Sequence, residues 1–405
     1  MKNRVVVIGL GVISSIGIGK DDFFDALING KSGISKVESF DVSSFDRKYG
    51  GEVKNFNPLD FMTSKETKNM GRASQLAIGS SSLAISDAGI SLDELKKYRI
   101  AVLFGTTMGE ANIIELLDKE WVKKGINYVD KFFVSRATAN LLSVNVGLHF
   151  KFKGINMVIP TACAAGNYAI SYGYDLVRNN EVDFVFAGGS DAFSRIAFIG
   201  FNRLYAMSPD ICQPFDKNRK GMLLGEGSAV LILSSLELAK KLNFKIYAEI
   251  LGYGLSCDAH HMTIPSPTGI ADCMRNALKN ANIKPKEVDY ISAHGTGTLQ
   301  NDKNEASAVK SVFLDYYKKI PVSSIKSMLG HCMGAASSIE AVSCCLAVYK
   351  DIIPPTINYK TPDPECDIDC VPNQAIRKSV NIALNNAYAF GGNNSCVVFK
   401  KFKNG

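Results

Sequence analysis

Cys163 is the residue of this sequence best placed for nucleophilic chemistry. It lies in VIPTACAAGNYAI (residues 158–170), where an apolar run ends at Pro160 and only small side chains surround the sulfur. The pattern predicts a helix directly after it. Free backbone N–H groups and the dipole at a helix N-terminus favour a thiolate and a developing oxyanion. A lone cysteine is more often a small buried hydrophobic residue, so Cys163 needs partners.

Two of the five histidines follow predicted buried segments and could be those partners. His294 follows VDYIS and precedes GTGT, in which Thr296 and Thr298 offer hydroxyls to a polar substrate linker. His331 lies in SMLGHCMGAA, again where a helix of small residues is predicted to begin. For His294, a histidine that only caps a turn is the alternative. Two imidazoles beside one thiol suit a reaction in which a carbonyl oxygen gains negative charge.

Lys326 and Glu340 lie on either side of His331 in the same segment. Such residues usually form a solvated pair. Lys326, however, follows PVSSI, which has the pattern of a buried segment, so its charge would need a partner there. We therefore expect a buried Lys326–Glu340 pair that orients the His331 ring and keeps it neutral.

A glycine pair follows Phe390 in the C-terminal motif NNAYAFGGNNSCVVF. Gly391 and Gly392 permit backbone angles that other residues avoid, and they would allow the loop to move. A tight turn before the last strand explains the same pattern.

Three other kinds of chemistry fit parts of this residue set. A Cys/His/Asp hydrolase needs a carboxylate behind one histidine, and Asp302 is the candidate. A degradative thiolase needs a second active cysteine in a C-terminal glycine-rich loop, but Cys396 lies beyond that loop. Cys366 and Cys370 have no second cysteine pair at metal-ligand spacing, so we predict no metal site.

The length and the apolar pattern predict the elements that position these residues. A chain of 405 residues suits two hydrophobic cores. Short apolar strands alternate with helices, which indicates an α/β protein with buried sheets. This alternation of strands and helices repeats weakly along the chain, so we predict two similar halves, residues 1–245 and 246–405. Reactive groups in such sheets gather where strands end.

Composition restricts location and partners. Hydrophobic residues make up 46% and charged residues 21%, as in globular proteins, and no stretch is long and apolar enough to span a membrane. The net charge of +7 comes from no basic run, which disfavours nucleic acid as a partner. Ten cysteines without a signal peptide predict reduced thiols and a cytoplasmic location.

Together the motifs resemble those of the elongating β-ketoacyl-[acyl carrier protein] synthases of the thiolase-like superfamily. The matching stretches cover the chain from residue 4 to about residue 400, and they are TACAAG, AHGTGT, KSMLGHCMGAA, AFGGNN, PFDKNRKGMLLGEG and PPTIN. The resemblance implies a five-layered αβαβα sandwich of two similar halves. The N-terminal half would carry the nucleophilic cysteine, and the C-terminal half would carry both histidines.

The resemblance also implies a role for each site residue. Cys163 would accept the acyl group, while His294 and His331 would assist loss of carbon dioxide from a malonyl thioester and stabilise the enolate. Lys326 and Glu340 would be a supporting charged pair. The backbone N–H groups of Cys163 and Phe390 would form the oxyanion hole, and Phe390 with Gly391 would form the gate. Thr296 and Thr298 would bind the phosphopantetheine arm.

The implied reaction is a decarboxylative Claisen condensation on an acyl carrier protein, without a cofactor of the enzyme's own. The stretches ACAAGNYAI and CQPFDKNRKGMLLGEG favour a ketosynthase of type II polyketide or polyene assembly, with housekeeping fatty-acid elongation as the alternative. Lys65, Lys68 and Arg72 form a candidate docking patch for the acidic carrier. A homodimer, or a heterodimer with a chain-length-factor-like paralogue, would form near residues 100–160. A non-catalytic role of that factor's kind is disfavoured by Cys163.

Two departures from the family pattern have consequences. Ala164 and Ala165 follow Cys163, where Thr-Ser or similar residues are common. Ala389 replaces the glycine that usually precedes the gate phenylalanine. Because alanine narrows backbone freedom, we expect a gate with a restricted swing or a different trigger.

Overall fold

The computed structural model describes residues 2–403, which form two five-stranded mixed sheets joined along one edge, two smaller sheets of three and two strands, and the helices packed on them. The strands are β1 Val5–Ser14, β2 Gly17–Ile18, β3 Ser35–Lys36, β4 Tyr49–Gly51, β5 Ile100–Gly105, β6 Asn156–Ile159, β7 Phe184–Asp191, β8 Leu224–Gly225, β9 Gly227–Ser235, β10 Ala248–Cys257, β11 Tyr290–Ser292, β12 Val322–Ser323, β13 Ile352–Ile353, β14 Ile376–Arg377, β15 Ile382–Tyr388 and β16 Asn393–Lys400. The helices are α1 Lys20–Ile28, α2 Ser64–Lys68, α3 Arg72–Ala88, α4 Leu92–Leu95, α5 Ala111–Lys124, α6 Val134–Ala137, α7 Leu141–Phe150, α8 Ala165–Arg178, α9 Arg195–Arg203, α10 Leu236–Lys241, α11 Pro267–Asn280, α12 Leu299–Phe313, α13 Lys326–Leu329 and α14 Ala336–Lys350.

The two sheets have the same topology. The N-terminal sheet runs β6-β5-β7-β9-β1, and the C-terminal sheet runs β12-β11-β15-β16-β10. In each, the first three strands pair in parallel and the last two are antiparallel. The sheets join where β1 pairs with β10 over Val5–Val7. This repeated order confirms the prediction of two similar halves, while the boundary near residue 245 stays a prediction.

Three hydrophobic cores separate five layers. The largest core lies between the two sheets and includes residues of the central helices α8 and α14. A second core packs α3 and α7 on the outer face of the N-terminal sheet, and a third packs α11 and α12 on the outer face of the C-terminal sheet. The predicted αβαβα sandwich is therefore confirmed.

Strand β1 illustrates why the sequence folds this way. Val5 and Val7 face the central core, whereas Val6 and Ile8 face the outer core, so a continuous apolar run buries both faces. Gly11 lets α3 approach closely, because a Cβ there would lie 1.8 Å from the carbonyl oxygen of Ser80. Among the described residues, no helix has the length and apolarity needed to cross a membrane.

Candidate active site

Cys163 lies on the tight turn that leads from β6 into α8. The turn spans Ala162–Ala164, and Ala162 has a left-handed φ of 50°. Its neighbours are small because the backbone of α14 passes directly against this corner. A Cβ on Gly166 would lie 2.7 Å from the backbone nitrogen of Ser338. The thiol is consequently buried with 9% of the residue exposed, at the N-terminal end of a central helix.

His331 occupies the equivalent corner of the C-terminal half. The turn Met333–Ala335 precedes α14, and Met333 has a φ of 49°, close to that of Ala162. His331 Nε2 lies 3.1 Å from Cys163 Sγ. The backbone N–H of Met333 donates to His331 Nδ1 over 3.0 Å, so the proton of the neutral ring is on Nε2. His331 thus presents an N–H donor toward the sulfur and toward any oxygen that forms beside it.

His294 follows β11 and is held by two buried charged side chains. The carboxylate of Glu305 accepts the backbone N–H of His294 over 2.8 Å and that of Gly295 over 2.7 Å. Lys326 Nζ donates to the carbonyl oxygen of His294 over 2.6 Å, and it also pairs with Glu340. The rings of His294 and His331 lie 5.4 Å apart, nearly perpendicular.

Burial and the Lys326 ammonium keep both imidazoles neutral. Burial lowers the pKa of His294 well below its usual value, and electrostatic interaction with Lys326 and then with His331 lowers it further. The pKa of His331 is lowered for the same two reasons, burial and Lys326. Burial also raises the pKa of Glu340, which the lysine opposes. Lys326 and Glu340 thus form a buried pair, but its hydrogen bond goes to the carbonyl of His294, and the Met333 N–H rather than the pair orients the His331 ring.

The pKa of Cys163 departs from the sequence-based expectation. Burial raises it to about 11, although Lys326 and the backbone N–H groups of Phe390 and Cys163 act in the opposite direction. Desolvation of the buried thiol therefore outweighs the stabilisation of a thiolate that we expect from the helix N-terminus. Both backbone N–H groups nevertheless lie close enough to the thiol to lower its pKa, and an acyl oxygen bound beside the sulfur would be near them.

Phe390 forms the mouth of the cleft above Cys163. Its side chain is 39% exposed, and its ring lies 5.9 Å from that of Phe201. Gly391 has a φ of 84° and open space where a Cβ would be. Ala389 is buried and packs with Cys163 and Ala164. The loop is thus held by packing at Ala389, while Gly391 at its tip has open space around it.

A narrow cleft leads to the sulfur. Thr296 and Thr298 lie along its wall, and their hydroxyl oxygens are 2.9 Å apart. Its remaining wall is largely apolar, with Met222, Met262 and Ile264 among the lining residues. The structure thus brings Cys163 and both histidines together with these threonines in one channel.

The candidate docking residues do not form one surface. Arg72 donates to both carboxylate oxygens of Glu226 over 2.8 Å and to the carbonyl of Val53 over 2.7 Å. It therefore anchors the start of α3, and its inclusion in the patch is corrected. Lys65 and Lys68 lie on α2 and are exposed. Those two lysines alone remain candidates.

The residues of the rival chemistries lie elsewhere or have other partners. Asp302 accepts the backbone N–H groups of Phe215 and Gly297, so it does not orient an imidazole. Cys396 is buried on β16 in the outer C-terminal core. Among the described residues, the one cluster with metal-ligand geometry is Cys163, His294 and His331 themselves. The adjacent Lys326 ammonium disfavours a cation there.

Two buried carboxylates near the site were missed from sequence. Besides Glu305, Asp191 at the end of β7 accepts the N–H groups of Thr107, Met108 and Gly334 over 2.7 to 2.9 Å. It ties the loop after β5 to the start of α14, and burial raises its pKa to about 6. Its position directly after the buried strand VDFVFAGGS was the available signal.

This arrangement can perform acyl transfer. A thiol faces an apolar cleft, the backbone N–H groups of Cys163 and Phe390 lower its pKa, and His331 places a further donor 3.1 Å from the sulfur. His294 supplies a second neutral imidazole with no partner for Nδ1 among the described residues. Such a donor set stabilises negative charge on a thioester oxygen.

Comparison with known proteins agrees with this chemistry. Residues 2–239 match the family described as Beta-ketoacyl synthase, N-terminal domain, and residues 247–360 match its C-terminal domain. A 3-oxoacyl-[acyl-carrier-protein] synthase 2 from Synechocystis sp. is 40% identical over 99% of both chains. One from Coxiella burnetii is 39% identical, again over 99% of both.

Two solved structures extend the comparison to polyketide assembly. The ishigamide ketosynthase/chain length factor superposes with a TM-score of 0.97, with 41% identity and full coverage of both chains. A type II PKS ketosynthase in complex with its acyl-carrier protein superposes with a TM-score of 0.91, with 32% identity and 99% and 100% coverage. The chain therefore belongs to the beta-ketoacyl synthase family of condensing acyltransferases.

Proposed function

We propose that this enzyme uses Cys163 to join an acyl chain to a two-carbon unit from a malonyl group, with both substrates carried on the phosphopantetheine arm of an acyl carrier protein. The Cys163 thiol first attacks the acyl thioester, and the carrier thiol leaves. The malonyl thioester then loses carbon dioxide, and the electron pair of the broken bond forms an enolate. The enolate carbon attacks the acyl carbon, and the Cys163 sulfur leaves.

The neutral, donor-oriented His331 beside Cys163 is the observation that carries this proposal. Its Nε2–H is fixed by the Met333 N–H on the other ring nitrogen, and it can stabilise the enolate oxygen. His294 would act at the same oxygen. Phe390 and Gly391 would gate the cleft, and Thr296 and Thr298 would bind the arm. Lys326 and Glu340 would position His294.

The decisive experiment separates condensation from decarboxylation. Cys163→Ser should abolish the product that is two carbons longer, measured by mass spectrometry, while malonyl decarboxylation persists. His331→Ala should lower decarboxylation by about 10²- to 10³-fold, because one oxyanion donor is lost. Cys257→Ser, at an exposed cysteine, is the matched control and should retain condensation. Intact product formation by Cys163→Ser would refute the mechanism.

We favour type II polyketide or polyene assembly over housekeeping fatty-acid elongation. The superposition on the ishigamide ketosynthase/chain length factor supports this choice, while the likeness to 3-oxoacyl-[acyl-carrier-protein] synthase 2 suits the alternative. The products identify polyketide assembly, since repeated extension without reduction gives poly-β-ketoacyl chains. Incubation with malonyl-carrier protein, alone and with any co-purifying paralogue, would identify them by mass.

Carrier docking is proposed at Lys65 and Lys68 on α2. Both are exposed, and an acidic carrier helix would complement them. Reversing both charges to Glu should raise KM for acyl-carrier protein several-fold while sparing small thioesters. Lys97→Glu is a control at an exposed lysine elsewhere. An unchanged KM would exclude the patch.

A dimer is proposed through residues 111–159, which include α5 and the edge strand β6. Trp121, Val122, Ile126 and Tyr128 are each more than half exposed in this segment, and clustered exposed apolar side chains mark interaction sites. The partner would be a second copy or a chain-length-factor-like paralogue.

A cytoplasmic location is proposed as well, where the ten cysteines, all unpaired in the described part of the chain, would stay reduced.

A further inference from the structure

An outer hollow continues from the catalytic cleft toward solvent. The two cavities share lining residues, including Thr298, Ile264 and Phe390. Of the described residues that line the outer hollow, Lys220 is the one with a charged side chain, and none is acidic. A single cation therefore lies in an apolar and hydroxyl-lined passage to the active site.

The backbone beside Lys220 is fixed on both sides. The N–H of Gly221 donates to the carbonyl of Gly297 over 3.0 Å, and the N–H of Met222 donates to the carbonyl of Ala206 over 2.9 Å. Gly221 has a φ of 127°, and a Cβ there would lie 2.3 Å from the Ala206 oxygen. Lys220 consequently extends from a rigid platform next to the threonine loop.

Arg219 fixes the opposite side of the same platform. Its guanidinium is buried, pairs with Asp363, and donates to the carbonyls of Thr298 and Leu299 over 3.3 and 3.1 Å. Arg219 therefore holds the threonine loop from inside, while the next residue directs its charge to the passage. Lys220 is exposed and forms no salt bridge among the described residues. By contrast Lys303, an exposed lysine on α12, pairs with Glu365.

We propose that Lys220 binds the phosphate at the outer end of the phosphopantetheine arm. This inference rests on the proposed function. The order from the interior outward is Cys163, buried Thr296, half-buried Thr298 and exposed Lys220. A thioester at the sulfur with its amides along the threonines places the phosphate at the outer end of the channel. A free cation without neighbouring carboxylates suits that anion.

The test compares two small substrates that differ only by the phosphate. KM is measured for an acyl-phosphopantetheine and for the same acyl-pantetheine, with the wild type, Lys220→Ala and Lys217→Ala. Lys217 is exposed on the same loop but lines neither cavity, so it is the matched control. We expect the wild type and Lys217→Ala to prefer the phosphorylated substrate by about three- to tenfold in KM, as one exposed charge-assisted contact provides.

In Lys220→Ala the ratio of the KM for the acyl-pantetheine to that for the acyl-phosphopantetheine should fall to about one. In the wild type it should also decline as salt is raised, because the contact is exposed. An unchanged preference in Lys220→Ala, or no preference in the wild type, would overturn the inference. The phosphopantetheine arm is part of both coenzyme A and the carrier protein. Parallel assays with acyl-coenzyme A and acyl-carrier protein distinguish these two sources of the phosphate. Absence of condensation with every thioester would instead contradict the proposed function.

Discussion

Lys326 is the residue on which the electrostatics of the site depend. A buried lysine is costly, and here Glu340 and the carbonyl of His294 offset that cost. Its charge lowers the pKa of both histidines and also that of Cys163. One ammonium thus favours two neutral N–H donors and a more reactive thiol at once.

Replacing the Lys326–Glu340 pair together should therefore slow thiol chemistry. In Lys326→Met with Glu340→Leu, the pKa of Cys163 should rise further above about 11, because the cation that stabilises its thiolate is gone. Since less thiolate is then present below that pKa, alkylation of Cys163 by iodoacetamide should slow by about three- to tenfold between roughly pH 7 and pH 10.

Peptide mass spectrometry of Cys163 measures that rate, and the exposed Cys257 in the same sample corrects for the reagent. Removing both partners avoids leaving an unpaired buried charge, so the variant should remain folded. An alkylation rate at Cys163 that equals the wild-type rate across this range would contradict the assigned role of Lys326.

Among the secondary structure elements, the two central helices explain why the site lies where it does. Helices α8 and α14 are equivalent by topology, and each begins after a tight turn with one left-handed residue, Ala162 or Met333. The two turns face each other between the sheets. The fold therefore brings the thiol of one half to the imidazole of the other.

The gate loop provides a prediction for a single element. Ala389 is buried, donates its N–H to Asn393 over 2.9 Å and accepts that of Gly392 over 2.9 Å. In Ala389→Gly the added backbone freedom should increase hydrogen–deuterium exchange of residues 389–393 and speed acylation of Cys163 by about two- to fivefold.

Peptides from α3 should exchange as in the wild type, which controls for global destabilisation. Equal exchange of the gate loop in both proteins would show that Ala389 does not restrict it. A large loop movement in acyl-bound wild type, equal to that in the variant, would lead to the same conclusion.

For the whole molecule, the main feature that a single chain does not explain is the exposure of apolar side chains within residues 111–159. Strand β6 is at the edge of the N-terminal sheet, and its Met157 is 38% exposed. An uncovered sheet edge with apolar side chains favours pairing with another chain. The same edge leads into the Cys163 turn, so a partner there would also brace the nucleophile.

Met157→Asp should therefore weaken the proposed dimer. A buried charge at the interface would shift sedimentation at micromolar concentration from dimer toward monomer, with at least a tenfold rise in the dissociation constant. Leu314→Asp, at an apolar side chain that is 70% exposed outside this face, is the control. Monomeric wild-type protein, or an unaffected dimer in Met157→Asp, would refute this interface.

The sequence by itself determined the fold class and the chemistry of the site. Alternating apolar strands and helices indicated buried sheets in two similar halves. Cys163, His294 and His331 could be selected because each follows an apolar segment and precedes small residues. These signals are local: a strand end, a turn and a helix start are each encoded in about ten neighbouring residues.

Only the tertiary structure decided how those groups influence one another. The elevated pKa of Cys163, the inward role of Arg72, and the supporting carboxylates Glu305 and Asp191 depend on residues far apart in sequence. Burial and electrostatic interaction act through space, so they cannot be read from adjacent positions. The sequence could propose the reacting groups, but their charge states follow from the packing of one half against the other.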